Sequence, residues 1–303
     1  MKFLKLPAIC LASLAALIQI PAATAGDDEV TFIPSIGYQH KRLKFEQEYN
    51  TVGGSGTADF DVELPTINAS LTAGYRRIFV TAKYEKSLGD TTTEANEVQP
   101  TTSSYYLNIP GGLTSVDRED MSLTVGYNVI SALNIFVGYM KGKTSLKPEI
   151  GCVFVAPEST CDTNTNPAGL SNLAFLHNYF GATSAYEQTY EEEGPYIGLS
   201  YAWQIAEAGS LSFSAAYAKM DGEYRDNYAA VANEDFKYTG DSTGTSYGLT
   251  WTAPLGENSN YFIDVRKQKY DMDAEDDNGN FPGSAVKTVE TMTGLTAGVQ
   301  FYF

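Results

Sequence analysis

Only three of the 303 residues are cysteine and two are histidine. Histidine is the side chain enzymes use most often as a general base, so catalysis has few places to reside. His40 sits in Tyr38-Gln-His-Lys-Arg42 with no serine beside it, and His177 has no aspartate nearby. Neither is part of a catalytic constellation, and no enzyme activity or cofactor is expected. A metal site would want further His or Cys ligands near Cys152 and Cys161, and only His177 is at hand. Basic residues are also scarce: 20 Lys and Arg stand against 37 Asp and Glu, a net charge of -17. A nucleic-acid partner asks for a basic stripe and is excluded. The run Asp271 to Asn280 has the acids of a calcium loop but not its pattern. Counted from Asp273, Asn278 and Ser284 stand where Gly and Glu are required, so an acidic loop tip is expected there.

Long apolar runs are missing after the first twenty residues. No later segment approaches the ~20 apolar residues of a spanning helix. Integration into a membrane therefore has to be by a closed barrel, the other way to satisfy the backbone in lipid. The one apolar run, Leu6 to Ile20, follows Lys2 and Lys5 and precedes Pro21-Ala-Ala-Thr-Ala25. Charged start, short apolar stretch and A-x-A site are those of a secretory signal peptide. Residues 1–25 are read as that leader and 26–303 as one domain. Cys10 lies inside the leader without a lipoprotein pattern. For an exported chain, Cys152 and Cys161 are expected to form one local disulfide.

One pattern recurs along the rest of the chain. Ile67 to Tyr75 leads through Arg76-Arg77 into Ile78 to Tyr84. Met121 to Tyr127 leads into Leu133 to Tyr139, Tyr196 to Tyr201 into Leu211 to Tyr217, and Tyr247 to Trp251 into Tyr261 to Val265. Each member alternates apolar with small or polar residues, as a strand with one greasy face does. Turn-forming Gly, Pro, Asn and Ser fill the short connections. With an opening strand around Thr31 to Phe45 and a closing one, the total is about ten. Longer segments separate the pairs: Tyr49 to Asp59, Ser87 to Ser115, Ser145 to Thr189, Gly222 to Asp235 and Asp271 to Ala285. Short turns on one side and long loops on the other are the asymmetry of a transmembrane barrel.

The closing strand carries the most specific signal. Leu295, Ala297, Val299, Phe301 and Phe303 alternate with Gly294, Thr296, Gly298, Gln300 and Tyr302. Thr296-x-Gly298-x-x-Phe301-x-Phe303 resembles the C-terminal assembly signal of Gram-negative outer-membrane β-barrels. The resemblance is to that class and covers the whole mature chain. It implies an all-β, antiparallel up-and-down barrel in the outer membrane. It also implies that barrel-assembly machinery recognises this last strand and that outer-membrane lipid surrounds the wall.

The alternation assigns the two faces. Ile67, Leu71, Leu123, Val125, Ile135, Val137, Leu199, Phe213, Leu249, Ile263 and Val265 are expected on lipid. Asn68, Ser70, Thr72, Ser122, Thr124, Asn134, Ser200, Ser212, Ser214 and Thr250 are expected in the lumen. Six charges also fall on the inward face: Lys83, Glu85, Arg118, Asp120, Asp264 and Arg266. Unpaired charges in a confined interior are costly, so they should pair, with Lys83 and Asp120 as partners. Gly74, Gly126, Gly138, Gly198, Gly248 and Gly298 also point inward, for curvature or close packing. Tyrosines fall near both ends of the apolar stretch, where amphipathic rings are favoured. Two functions stay open: a rigid scaffold whose surface loops recognise an extracellular ligand or surface, and a narrow, porin-like pore for small polar solutes. A barrel hydrolase lacks the neighbours that catalysis needs.

Overall fold

Alternation sets the wall. The computed structural model describes residues 29–51, 54–89, 91–100, 106–148, 186–228, 235–277 and 283–303. Eleven strands follow one another: β1 (Val30–Thr51), β2 (Gly54–Tyr75), β3 (Ile78–Ser87), β4 (Thr91–Pro100), β5 (Tyr106–Ile130), β6 (Leu133–Pro148), β7 (Tyr186–Gln204), β8 (Ser210–Tyr228), β9 (Asp235–Gly256), β10 (Ser259–Asp276) and β11 (Ala285–Phe301). All pairings are antiparallel, between chain neighbours except around β3 and β4, and β1 closes the ring by pairing with β11. Both β3 and β4 lie between β2 and β5. They are one wall position broken around Gly89, whose φ of 77° suits a residue without Cβ. The barrel therefore has ten positions, the even number expected.

The four short connections are where the sequence placed them, at Arg76-Arg77, Ser131-Ala132, a 3-10 turn over Ala206–Ala208, and Glu257-Asn258. The long connections differ. The segments Tyr49 to Asp59 and Ser87 to Ser115 were expected as loops, but both are largely strand, in β1, β2, β4 and β5. The acidic run from Asp271 is likewise strand as far as Asp276. In Asp271 to Glu275 the side chains still alternate, with acids outward and Met272 and Ala274 inward, so the strand pattern persists although the outward face is no longer greasy. Cys152, Cys161 and His177 lie outside the described residues.

Every residue assigned above to lipid faces outward, and every residue assigned to the lumen faces inward. Val30, Ile36, Leu71, Leu123, Val137, Ile197, Leu249, Val265 and Leu295 form an exposed apolar band. Tyr75, Tyr127, Tyr201 and Trp203 edge it beside the short turns, and Tyr38, Tyr139, Tyr217 and Tyr247 edge it on the other side. Such strands need only about 9–11 residues to cross a bilayer, whereas β1, β2 and β9 have 22 each. The surplus rises beyond the band as a collar whose outer surface is charged. There Arg42 forks onto Asp61 at 2.6–3.1 Å, and Lys141 meets Glu191 at 2.7 Å. Its hydrogen bonds from Arg42 hold Asp61 below the ordinary carboxylate range. Burial pushes Glu191 up, but hydrogen bonds from Lys141 and Lys143 outweigh it and hold it low.

Candidate functional site in the lumen

The interior is filled in layers, and the glycines explain the innermost one. Phe79, Phe136 and Phe262 point inward near the start of ascending strands, each opposite a glycine on the next strand: Gly126, Gly198 and Gly298. Tyr196 lies opposite Gly138 in the same way. A Cβ on any of these glycines would run into the facing ring, so absence of a side chain is what seats the aromatic. Tyr196 hydroxyl bonds Thr124 across two wall positions. The sequence placed these glycines inward but left their lumen open; the rings that occupy it are at most 5% exposed.

Next comes a layer of charge. Lys41 on β1 reaches Asp120 on β5 at 2.9 Å and Glu85 on β3 at 3.6 Å. Lys83 pairs with Glu85 at 2.7 Å. This corrects the expected Lys83–Asp120 pair: Asp120 is taken by Lys41 and by Arg118, whose Nε donates to it at 3.0 Å. Arg118 also donates to Thr144 Oγ1 at 2.7 Å and to Glu290 on β11, and its guanidinium lies 5.7 Å from the Tyr270 ring on β10. In a ring of ten positions, β5 and β10 are diametrically opposite. Arg118 therefore spans the lumen. Lys41, Glu192 and Glu290 belong to this layer and were missed: Lys41 lies on the opening strand, whose faces were not assigned, and Glu192 and Glu290 fall between the stretches read as loop and those read as strand. Asp264 and Arg266 face inward as expected but bond one another along β10 at 3.2–3.3 Å, and with Thr250 and Ser246. They line the wall.

Toward the outer end a ladder of rings crosses the lumen. Phe60 stacks on Phe45 at 4.8 Å, and Phe45 meets Tyr190 edge-on at 4.6 Å. Tyr190 stacks on Tyr224 at 4.7 Å, and Tyr224 on Tyr238 at 5.6 Å. Phe45 is on β1 and Tyr190 on β7, again five positions apart. Distances of 4.5–7 Å are those of favourable ring pairs. Leu43, Val62, Leu64, Val116, Leu146, Met272 and Met292 pack around the ladder.

The remaining predicted site residues lie on the wall. Phe301 and Phe303 are exposed at 41% and 77%, on the lipid side. Thr296 and Gly298 face inward, and Gly298 receives the Phe262 ring. The last residue exchanges both backbone hydrogen bonds with Phe32, each 3.0 Å, so the chain end is stitched to the first strand. His40 points outward and lies 3.3 Å from Glu63, away from the lumen. No cluster of three or more metal-ligating side chains occurs among the described residues.

No protein-family model matches this chain, and no curated protein sequence does either. Solved structures do. The outer membrane protease OmpT from Escherichia coli superposes with a TM-score of 0.62 at 13% identity, over 93% of this chain and 100% of that one. Weaker matches are the translocator domain of autotransporter NalP from Neisseria meningitidis and the attachment invasion locus protein Ail of Yersinia pestis. NalP gives a TM-score of 0.37 at 10% identity over 93% of this chain and 91% of its own. Ail gives 0.28 at 10% over 91% and 99%. By its closed antiparallel ring and its apolar outer band, this chain has the fold of the Gram-negative outer-membrane β-barrels.

Proposed function

We propose that this barrel resides in the outer membrane as a closed, rigid scaffold that presents its outer end for recognition or adhesion. The observation that carries the reading is the crossing of the lumen by Arg118 to Glu290 and by Phe45 to Tyr190. Contacts between opposite walls occupy the path that a solute would take, and they brace the collar against collapse. Rigid walls carrying outer connections are a common way to hold a binding surface. The sequence between β6 and β7 supplies apolar material for such a surface in Phe154, Phe175, Tyr179 and Phe180. Phe301 and Phe303 serve assembly in this reading, as lipid-facing ends of the strand that closes the ring. OmpT is a protease, but a hydrolase reading draws no support from His40, which stands on the outer surface beside Glu63.

Two measurements on one preparation test this. Vesicles reconstituted with the protein should retain an entrapped sugar, and cells displaying it should gain attachment to a surface or soluble ligand. Replacing residues 149–185 with a short Gly-Ser linker should abolish attachment and leave retention unchanged. Sugar leakage from the unmodified protein would favour the pore reading. Attachment that survives the replacement would remove the segment from the recognition role.

A further inference from the structure

The charged layer is not balanced. Its cations are Lys41, Lys83 and Arg118, and its acids are Glu85, Asp120, Glu192 and Glu290. Three acids use the three cations: Glu85 takes Lys83, Asp120 takes Lys41 and Arg118, and Glu290 takes Arg118. Glu192 is left over. It is 2% exposed, its Oε2 is buried without a hydrogen-bond partner, and no ion pair reaches it among the described residues. Its cross-strand neighbours are both glycine, Gly142 on β6 and Gly222 on β8, which offer no side-chain donor. Gly142 is instead the floor over which Arg118 passes; a Cβ there would lie 2.7 Å from Nη2. The charges that bear on Glu192 are Glu290 on β11, Arg118 and Asp120 on β5. Lys41 on β1 and Glu85 on β3 stand one contact further away, the ionisable ring of the layer is Tyr270 on β10, and Tyr190 on β7 and Tyr224 on β8 belong to the ring ladder beyond it. Its chain neighbours Glu191 and Glu193 are on the other side of the wall with Lys141 and Lys143. They belong to the collar, so the layer stands beyond the apolar band.

We propose that Glu192 is a proton-binding site of the lumen, carried as the neutral acid, and that its proton keeps the charged layer at zero net charge. An isolated buried carboxylate is expensive enough that such groups neutralise instead. Two acids near one guanidinium cannot both ionise cheaply, and Glu290 already holds the guanidinium bond. Release of the proton to water would leave a carboxylate facing Glu290 and Asp120 with no free cation. The unfolded chain carries no such restriction and gives up this proton near the ordinary glutamate value of about 4.3. Folding then requires proton uptake at any higher pH up to the value in the folded lumen, so Glu192 erodes stability as pH rises through that window.

The inference does not depend on what the outer face recognises, and its test uses the intact barrel. Infrared spectra at neutral pH should show the carbonyl stretch of a buried protonated carboxyl, shifted in deuterium oxide and absent from Glu192→Gln. The heat-modifiability midpoint of Glu192→Gln should exceed that of the parent, with a gap that widens as pH is raised from mildly acidic to alkaline. If Glu192→Gln does not fold, Glu192→Asp takes its place in the spectrum, where the band should move. A parent spectrum without the band, a band unmoved by either variant, or a midpoint gap constant with pH would each overturn the proposal.

Discussion

Replacing Arg118 by methionine keeps most of the side-chain length and removes the charge that ties opposite walls together. In the native lumen Arg118 is 2% exposed and contacts Asp120, Thr144, Glu290 and the Tyr270 ring. Its loss does not affect the two acids equally. Asp120 retains Lys41 at 2.9 Å, whereas Glu290 loses the cation it is bonded to. Breaking a buried pair from one side costs about 3–5 kcal/mol, chiefly the cost of the charge left behind. Removing that charge as well, in Arg118→Met with Glu290→Leu, should recover most of the loss. The coupling between the two sites should then be at least about 2 kcal/mol, within the range for contacting residues. Urea unfolding of the vesicle-embedded barrel, scored by the folded band on unheated gels, measures all three variants. A single-variant cost below about 1 kcal/mol, or a double variant no better than Arg118→Met alone, would refute the claim that Arg118 and Glu290 form a desolvated cross-lumen pair.

Gly126→Ala should destabilise the barrel by about 1–3 kcal/mol through overpacking against the Phe79 ring, and Phe79→Leu in the same chain should relieve it; urea midpoints of the two variants decide. Replacing Phe301 and Phe303 by serine should lower the amount of folded barrel recovered from outer membranes, since it strips apolar surface from the closing strand at about 1.5–3 kcal/mol per aromatic if fully buried in lipid; wild-type recovery would sink the assembly role. Glu191 is held below its ordinary value in the collar, so its stabilising share is present above that value and is lost as pH falls through the lower one. Lys141→Gln should therefore shift the urea midpoint slightly at neutral pH and not at all in strong acid, the effect staying under about 1 kcal/mol because the pair is partly solvated.

The wall was legible in the sequence because a membrane barrel writes its two faces as alternate residues. Leu123, Val125, Ile135 and Val137 could be assigned outward without knowing the register. The outer halves of the strands were harder. In Lys41 to Glu48, or Asp59 to Glu63, the outward residues are charged because they leave the lipid, so the greasy face moves inside, to Leu43, Phe45, Phe60 and Val62. Charge on one face and aliphatics on the other also describe a loop tip, and the length of strand could not be read from them. The lumen was legible by position but not by partner. Arg118 and Asp120 were placed inward by parity alone. That Arg118 meets Glu290, four positions away across the lumen, depends on how strands face one another in a ring of ten, which no local spacing encodes. One sign was available and was passed over: Phe79, Phe136 and Phe262 occupy inward positions between outward aliphatics. An inward ring and an inward glycine in recurring hairpins are complementary shapes.

The central claim is that side chains from opposite walls close this barrel, and conductance of the unmodified protein in planar bilayers tests it most directly. The contacts of Arg118 with Glu290 and of Phe45 with Tyr190 predict a silent membrane. Replacing Arg118, Glu290, Phe45 and Tyr190 together by alanine, in protein shown to be folded, should produce discrete openings. Stable open channels in the unmodified protein would contradict the account.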